Sequence, residues 1–402
     1  MIAIVNGKVL TITQGTLERG TVLVEEGRIS AVGEDVEIPA GAQVHDAAGK
    51  VVMPGLIDAH CHVGVFADSI GWEYSDGNEI TDPITPHLRA LDALHPGDPA
   101  WPDLVAAGVT TVLTGPGSGN LIGGQWVCVK TPPKPSVEQM VLLEPAGMKM
   151  ALGENPRRVY GEQKKAPSTR MGNAALLRAA LVSAQNYVQQ WQHYEDEMGV
   201  YQARLRVGEK PERMPQPPKR DLKMEALGKL LRREMKARIH AHRADDILTA
   251  IRIAEEFDLD LTIEHATEGY KIADVLAEKG VPVTAGPILF SRVKYELKGM
   301  TPRNPGLMAE AGVKVAIQTD ESSAVRYLTI NAALAVREGM PEEEAFKAIT
   351  INAAEIIGVA DRVGSLEVGK DADVVVFSGH PFDYRTLAEL VLVDGEEVYR
   401  RE

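Results

Sequence analysis

Apolar and polar positions alternate at two different periods along this chain. Over residues 1–50 the period is two: stretches 2–5, 8–12, 21–24 and 28–32 read as short strands separated by glycine turns. Stretches 373–377 and 390–399 have the same character, so both ends of the chain are β-rich. Between them, strand-like runs such as 109–113 and 281–285 take turns with helical-period stretches such as 245–256, and that alternation predicts an α/β barrel. The segment between Lys149 and His240 is too long for one ordinary crossover. It holds a helix-forming run, 172–206, and a proline-rich linker, 211–218, and reads either as a lid or oligomer contact or as a helical decoration remote from chemistry. No internal repeat or low-complexity tract stands out.

Candidate chemistry collects where these strands stop. The apolar run from Met53 ends in His60, Cys61 and His62; side chains alternate across a strand, so the two histidines project to one face and the cysteine to the other. His240 and His242 repeat the device after Ile239, His265 ends the β-branched run 259–265, and Asp320 ends the apolar run 313–320. Five of the ten histidines thus fall at the ends of three predicted strands. An isolated His-x-His is as often a pair of surface histidines; the collective pattern is what points to metal. Imidazole and carboxylate donors favour a transition metal over magnesium or calcium, with zinc the default and manganese, nickel or iron the other options. One or two such ions would lower the pKa of bound water to about 7. Lys149 lies in the short apolar run 147–153, where an ammonium needs a reason to be buried, and Lys130 after the apolar run 126–129 poses the same question.

Composition narrows the classes. A chain of 402 residues has room for a full barrel plus a smaller unit. Its 43 basic against 57 acidic residues, a net charge of −14, argue against a nucleic-acid or anionic-membrane partner and for simple solubility, and the partner expected is a small-molecule substrate. With two cysteines, no basic leader and no apolar segment approaching the roughly 20 residues that span a bilayer, the expectation is a cytoplasmic protein without disulfides.

Four stretches, 54–62, 239–242, 263–265 and 364–373, resemble the amidohydrolase superfamily of metal-dependent hydrolases, in particular the branch related to imidazolonepropionase and the prolidase-like amidohydrolases. The resemblance spans nearly the whole chain. It implies a (β/α)8 TIM-like barrel over 51–364, with a helical insert at about 157–235, beside a small β-sandwich built from residues 1–50 and 365–402. It makes His60 and His62 first-strand metal ligands, His240 the fifth-strand ligand, His265 the sixth, and Asp320 both the eighth-strand ligand and the proton acceptor. His242 is then left for substrate contact or for a hydrogen bond that orients a ligand. Lys149 matches the fourth-strand lysine that many members carboxylate to bridge two metals, with Lys130 as the competing candidate. A homo-oligomer is also expected.

Departures from relatives point to the reaction. Deaminases and imidazolonepropionases of this superfamily place an acid soon after the fifth-strand histidine, whereas here His240 is followed by Ala241, His242 and Arg243. Asp245 and Asp246 lie where they would cap a helix. Hydrolysis of an amide, in a peptide, an N-acyl amino acid or a cyclic amide, is therefore expected ahead of deamination or a non-catalytic scaffold role. Arg157, Arg158, Arg243 and Arg292, each following a predicted strand, are the candidates to hold a substrate carboxylate, with Tyr160 and Arg170 behind them.

Overall fold

The computed structural model describes residues 1–68, 73, 75–211 and 213–402, so Glu212 of the proline-rich linker lies outside the described residues. Strands β1 (Ile2–Leu10), β2 (Thr16–Glu25), β3 (Arg28–Gly33), β4 (Gln43–Asp46) and β5 (Val51–Pro54) come first. The barrel follows with β6 (Leu56–Cys61), β7 (Val109–Thr114), β8 (Ile122–Lys130), β9 (Val141–Ala151), β10 (Ala237–Ala241), β11 (Leu261–His265), β12 (Val283–Ala285) and β13 (Val315–Ile317). The chain ends in β14 (Val374–Phe377), β15 (Ala388–Val393) and β16 (Glu396–Arg400).

Both ends of the chain meet in one eight-stranded sheet, ordered β16-β15-β14-β5-β1-β2-β3 with β4 alongside β1. The two stretches expected as separate strands at 2–5 and 8–12 are one strand. A register shift between Ile4 and Gly7, with Asn6 at φ 62°, absorbs the irregularity without ending the ladder. Val51–Pro54 pairs with β1 and β14, so the terminal sheet extends past the expected boundary at residue 50. Ile4, Val22, Val24, Ile29, Val374 and Leu392 share one core, drawn from both halves of that sheet.

The second sheet runs β6 to β13 in chain order and is a nearly closed, TIM-like barrel. Every residue of β6, β7, β10, β11, β12 and β13 is buried, as strands covered on both faces require. Its ends are joined just past β13, where the Asp320 N–H donates to the His60 carbonyl at 3.1 Å and the His62 N–H to the Glu321 carbonyl at 3.0 Å. One strand departs from the all-parallel expectation: β8 is antiparallel to both β7 and β9. The link from β7 to β8 is residues 115–121, too short for a parallel crossover, which takes a dozen residues or more. Reversal of β8 carries Lys130 to the opposite end of the barrel from His60 and Asp320, beside Thr111.

The insert is a 37-residue helix, Arg170–Arg206, that returns to the helix Leu222–Leu231. Only its first half is anchored: Asn173, Leu177, Ala180, Leu181 and Ala184 are its buried residues, at the three-to-four spacing of one helix face. At its start Arg170 bonds Asp246 at 2.9 Å and the Asn173 amide donates to the Gly153 carbonyl at 3.1 Å, which ties the insert to the barrel rim. No helix among the described residues is long and apolar enough to cross a membrane.

Candidate metal centre

Ladder registers decide which side chains meet inside the barrel. Arg238 on β10 is paired with Lys149 on β9, and His240 on β10 with Glu264 on β11. All four are buried, as are His60, His62, His242 and His265. Two of the strand ends are turned inward by backbone that L-residues rarely adopt: φ is 70° at His265 and 57° at Asp320. Such conformations cost on the order of 1–3 kcal/mol each and persist where surrounding structure enforces them.

Hydrogen bonds behind the histidines fix which nitrogen faces inward. His60 Nδ1 lies 2.7 Å from Glu264 Oε2, His62 Nδ1 lies 2.7 Å from the Gly115 carbonyl and His265 Nδ1 lies 3.0 Å from the Gly286 carbonyl. Carbonyl oxygens only accept, so Nδ1 carries the hydrogen in neutral His62 and its lone pair sits on Nε2, whereas His265 Nδ1 lies at 3.0 Å from both the Gly286 carbonyl and the Gln318 side-chain amide nitrogen. His242 Nδ1 is held at 2.7 Å by the Thr267 hydroxyl. Outer partners of this kind are what orient imidazoles toward a metal.

The inward-facing atoms then confront one another. Nε2 of His60 and Nε2 of His62 each stand 3.2 Å from the same oxygen, Asp320 Oδ1. Burial holds the His62 imidazole below its ordinary pKa despite the carboxylate beside it. Burial would raise the Asp320 carboxyl, but His265, His60 and His62 together hold it well below the usual carboxylate range. On the adjoining wall, the rings of His240, His242 and His265 lie 4.5 to 4.7 Å apart. Neither nitrogen of His240 nor Nε2 of His242 has a hydrogen-bond partner, and all three atoms are buried. Donor atoms of two trios, His60–His265–Asp320 and His240–His242–His265, lie within 4.8 Å of one another, which is ligand spacing.

Lys149 lies between these groups. Its amine is 3.2 Å from His60 Nε2 and 4.6 Å from the centre of the Trp126 ring, and its side chain is 1% exposed. Desolvation brings its pKa down to about 8 against the pull of Asp320 and Glu264. Lys130, by contrast, is bonded to Asp373 at 2.8 Å, Asp371 at 3.0 Å and Asp394 at 3.1 Å, where it ties the barrel to the terminal sheet.

The arginines do not gather here. Arg243 is forked onto Asp245 at 2.8 and 2.9 Å, Arg292 donates to the Met300 carbonyl at 2.8 Å, Arg157 leans on the Ser168 carbonyl and Arg158 is exposed. Tyr160 is buried, and its hydroxyl donates to Asn120 Oδ1 at 2.6 Å. Asp246 is taken up by Arg170 rather than by a free helix end.

Several groups at the site carried no role in the sequence reading. Glu264 orients His60 and is itself held by Arg238 at 3.4 Å. Its signal was present: a charged residue at the same strand parity as buried Thr262, inside an apolar run. Glu296 and Lys294 come from the loop after β12, and nothing local marked them. Glu296 is 1% exposed, accepts from the Glu154 N–H at 2.9 Å, and stands 3.6 Å from His242 Nε2 and 3.8 Å from His240 Nε2. A cavity of about 400 Å³ opens beside the Gly115 loop, lined by Val65, Asn78, Arg89, Pro116 and Gly123.

Comparison with known proteins agrees with this geometry. Residues 135–398 match the Amidohydrolase family. A solved amidohydrolase from Thermotoga maritima is 46% identical, with a TM-score of 0.92 and full coverage of both chains. Amidohydrolase tasK of Hapsidospora irregularis is 30% identical over 94% of this chain, which spans 39% of that relative's length. An imidazolonepropionase of Shouchella clausii is 26% identical over 93% of this chain and 82% of its own. A barrel with histidines and an aspartate converging at its strand ends, matched by that family over most of its length, makes this chain a member of the amidohydrolase superfamily.

Proposed function

We propose that the protein is a divalent-metal-dependent hydrolase that cleaves an amide bond in a small molecule. The observation that carries this reading is the convergence of His60 Nε2, His62 Nε2 and Asp320 Oδ1, with both nitrogens 3.2 Å from the same carboxylate oxygen. The residues fit an ion: the donors are imidazole and carboxylate, and buried nitrogens of His240 and His242 have no partner. His60, His62 and Asp320 would hold one ion and His240 and His265 another, zinc being the default with manganese, nickel or iron as alternatives. A bound ion of this kind lowers the pKa of water and polarises a carbonyl.

The chain's own groups do the rest. Asp320, kept ionised by the imidazoles around it, takes the proton of the attacking water at its carboxylate and returns it to the leaving nitrogen. His242, with Nδ1 tied to Thr267, directs Nε2 toward the substrate. Lys149, with its pKa brought to about 8 and its amine 3.2 Å from His60 Nε2, is the residue that would add carbon dioxide, losing one proton to become a carbamate able to serve as a metal ligand.

Deamination is the second reading, because Glu296 stands 3.8 Å from His240, where a proton-shuttling acid would be useful. Its two oxygens are already engaged by the Glu154 N–H and the Lys294 ammonium, which favours amide hydrolysis. Elemental mass spectrometry on protein purified without chelators, comparing wild type with Lys149→Ala, tests the centre. Two metals per chain falling on substitution are expected; one metal, unchanged, rejects the carbamate bridge, and none returns weight to a scaffold. Released amine from N-acyl amino acids, dipeptides and cyclic amides, against released ammonia from aminated heterocycles, separates the two reactions.

A further inference from the structure

We infer that Lys294 holds the anionic end of the substrate, so that the amide cleaved carries a carboxylate close to the scissile bond; this rests on the amide-hydrolase reading above. Each of the four arginines that follow the barrel strands is exposed or committed to a protein oxygen, so none of these four is aimed at the histidines. Lys294 is the cation that the loop after β12 brings to the histidine wall. Its ammonium is ion-paired with Glu296 Oε1 at 2.8 Å, and that oxygen is the one 3.6 Å from His242 Nε2.

An ammonium has three N–H groups and no acceptor. One N–H goes to Asn155 Oδ1 at 3.1 Å and the charge is ion-paired with Glu296 Oε1 at 2.8 Å, an oxygen with no hydrogen-bond partner among the described residues, so the ammonium keeps N–H capacity for a ligand. The side chain is 15% exposed, enough to be reached by a ligand and buried enough for its charge to act at low local dielectric.

The mount of this ammonium is rigid. Glu296 is fixed from the other side by the Glu154 N–H, and Asn155 donates to the Ser118 hydroxyl at 2.8 Å. Loops after β7, β9 and β12 therefore converge on Lys294 and aim its remaining N–H. A preorganised cation next to metal-ligating histidines suits a carboxylate attached to the group being released or to its neighbour. Glu296 leaves the ammonium only partly neutralised, because the same carboxylate is shared with a helix N-terminus.

The test pairs each of a panel of N-acetyl-L-amino acids with its primary amide, titrated calorimetrically into the full chain as purified with its metal content measured, and assayed for turnover. Wild type is expected to bind at least one acid about tenfold or more tightly than its amide, the worth of one charge-assisted hydrogen bond. In Lys294→Met/Glu296→Gln, which leaves no carboxylate unpaired, that ratio should collapse toward one, and Lys294→Arg should keep part of it. Equal binding of acid and amide by wild type, binding of neither, or a preference that survives the double substitution in folded protein overturns the role of Lys294. A Lys294-dependent preference without hydrolysis of any pair leaves the anion site standing and removes the amide-hydrolase reading; hydrolysis without preference does the reverse.

Discussion

Glu264 and His60 are joined across the barrel interior by a hydrogen bond of 2.7 Å between two side chains that water does not reach. Burial alone would raise the Glu264 carboxyl, but His60, Arg238 and Lys149 pull it down to about 2. The carboxylate thus orients an imidazole and balances a buried guanidinium at once. Replacing it by the isosteric amide, Glu264→Gln, should weaken metal binding about 10–100-fold. It should also destabilise the fold by about 3–5 kcal/mol, because Arg238 is left uncompensated. Metal titration and urea unfolding measure the two effects, and neither should be near zero.

Acid should unfold the metal-stripped protein earlier than carboxylates alone would dictate. His265 is held to about 3 by burial, and His240 and His242 are also held well below 6.5. A depressed pKa means that the unfolded chain binds more protons between about 3 and 6.5, so stability falls as pH drops through that window. Glu264, depressed from 4.5 to about 2, adds a second loss as pH falls below 4.5. Thermal unfolding of chelator-treated protein should show Tm descending from pH 7 to pH 4, with a shallower slope in His265→Gln; a flat profile contradicts the burial of neutral imidazoles.

Asp320→Asn, reloaded with metal and compared at equal metal content, should lower kcat by about 10²–10⁴-fold. Activity within a few-fold of wild type at equal metal would reduce Asp320 to a ligand.

Gly286 adopts φ +135°, and a Cβ there would come within 2.5 Å of the Gln318 carbonyl oxygen. Its own carbonyl lies 3.0 Å from His265 Nδ1. Gly286→Ala should therefore cost about 1–3 kcal/mol in unfolding free energy and loosen metal binding together. Loss of stability with unchanged metal affinity would show that the His265 contact survives the backbone shift.

Lys130→Met leaves buried Asp373 without its cation at the junction of barrel and terminal sheet, while Asp371 keeps Arg28 and Arg362. Stability should fall by about 3–5 kcal/mol with metals per chain unchanged in the folded fraction. A drop in metal content would return Lys130 to candidacy as the bridging lysine.

Local pattern and tertiary placement contributed different parts of this picture. Periodicity alone located the β-rich ends, the barrel strands and the helix at Ala244–Glu256, which begins one residue before its expected start. It also placed His60, His62, His240, His242, His265 and Asp320 at strand ends, because an imidazole or carboxylate closing an apolar strand is visible in one dimension. The burial of Lys149 was legible for the same reason: a charge inside an apolar run has few places to go.

What one dimension cannot carry is direction and distance through space. Reversal of β8 follows from a short link whose consequence appears only when strands pair, and it separates Lys130 from Lys149 although both follow similar apolar runs. Arginines after strands looked equivalent along the chain. In the fold Arg157, Arg243 and Arg292 have each found an oxygen within their own neighbourhood, as a flexible guanidinium does wherever an acceptor is near, and Arg158 is exposed. Glu296 and Lys294 lie on an irregular loop, where no periodicity reports facing, and only long-range packing sets them against His242. The sequence by itself determined which residues end the strands, through alternation and burial of apolar side chains; the tertiary structure decided which of their atoms face one another, because that depends on register and loop closure between segments far apart in the chain.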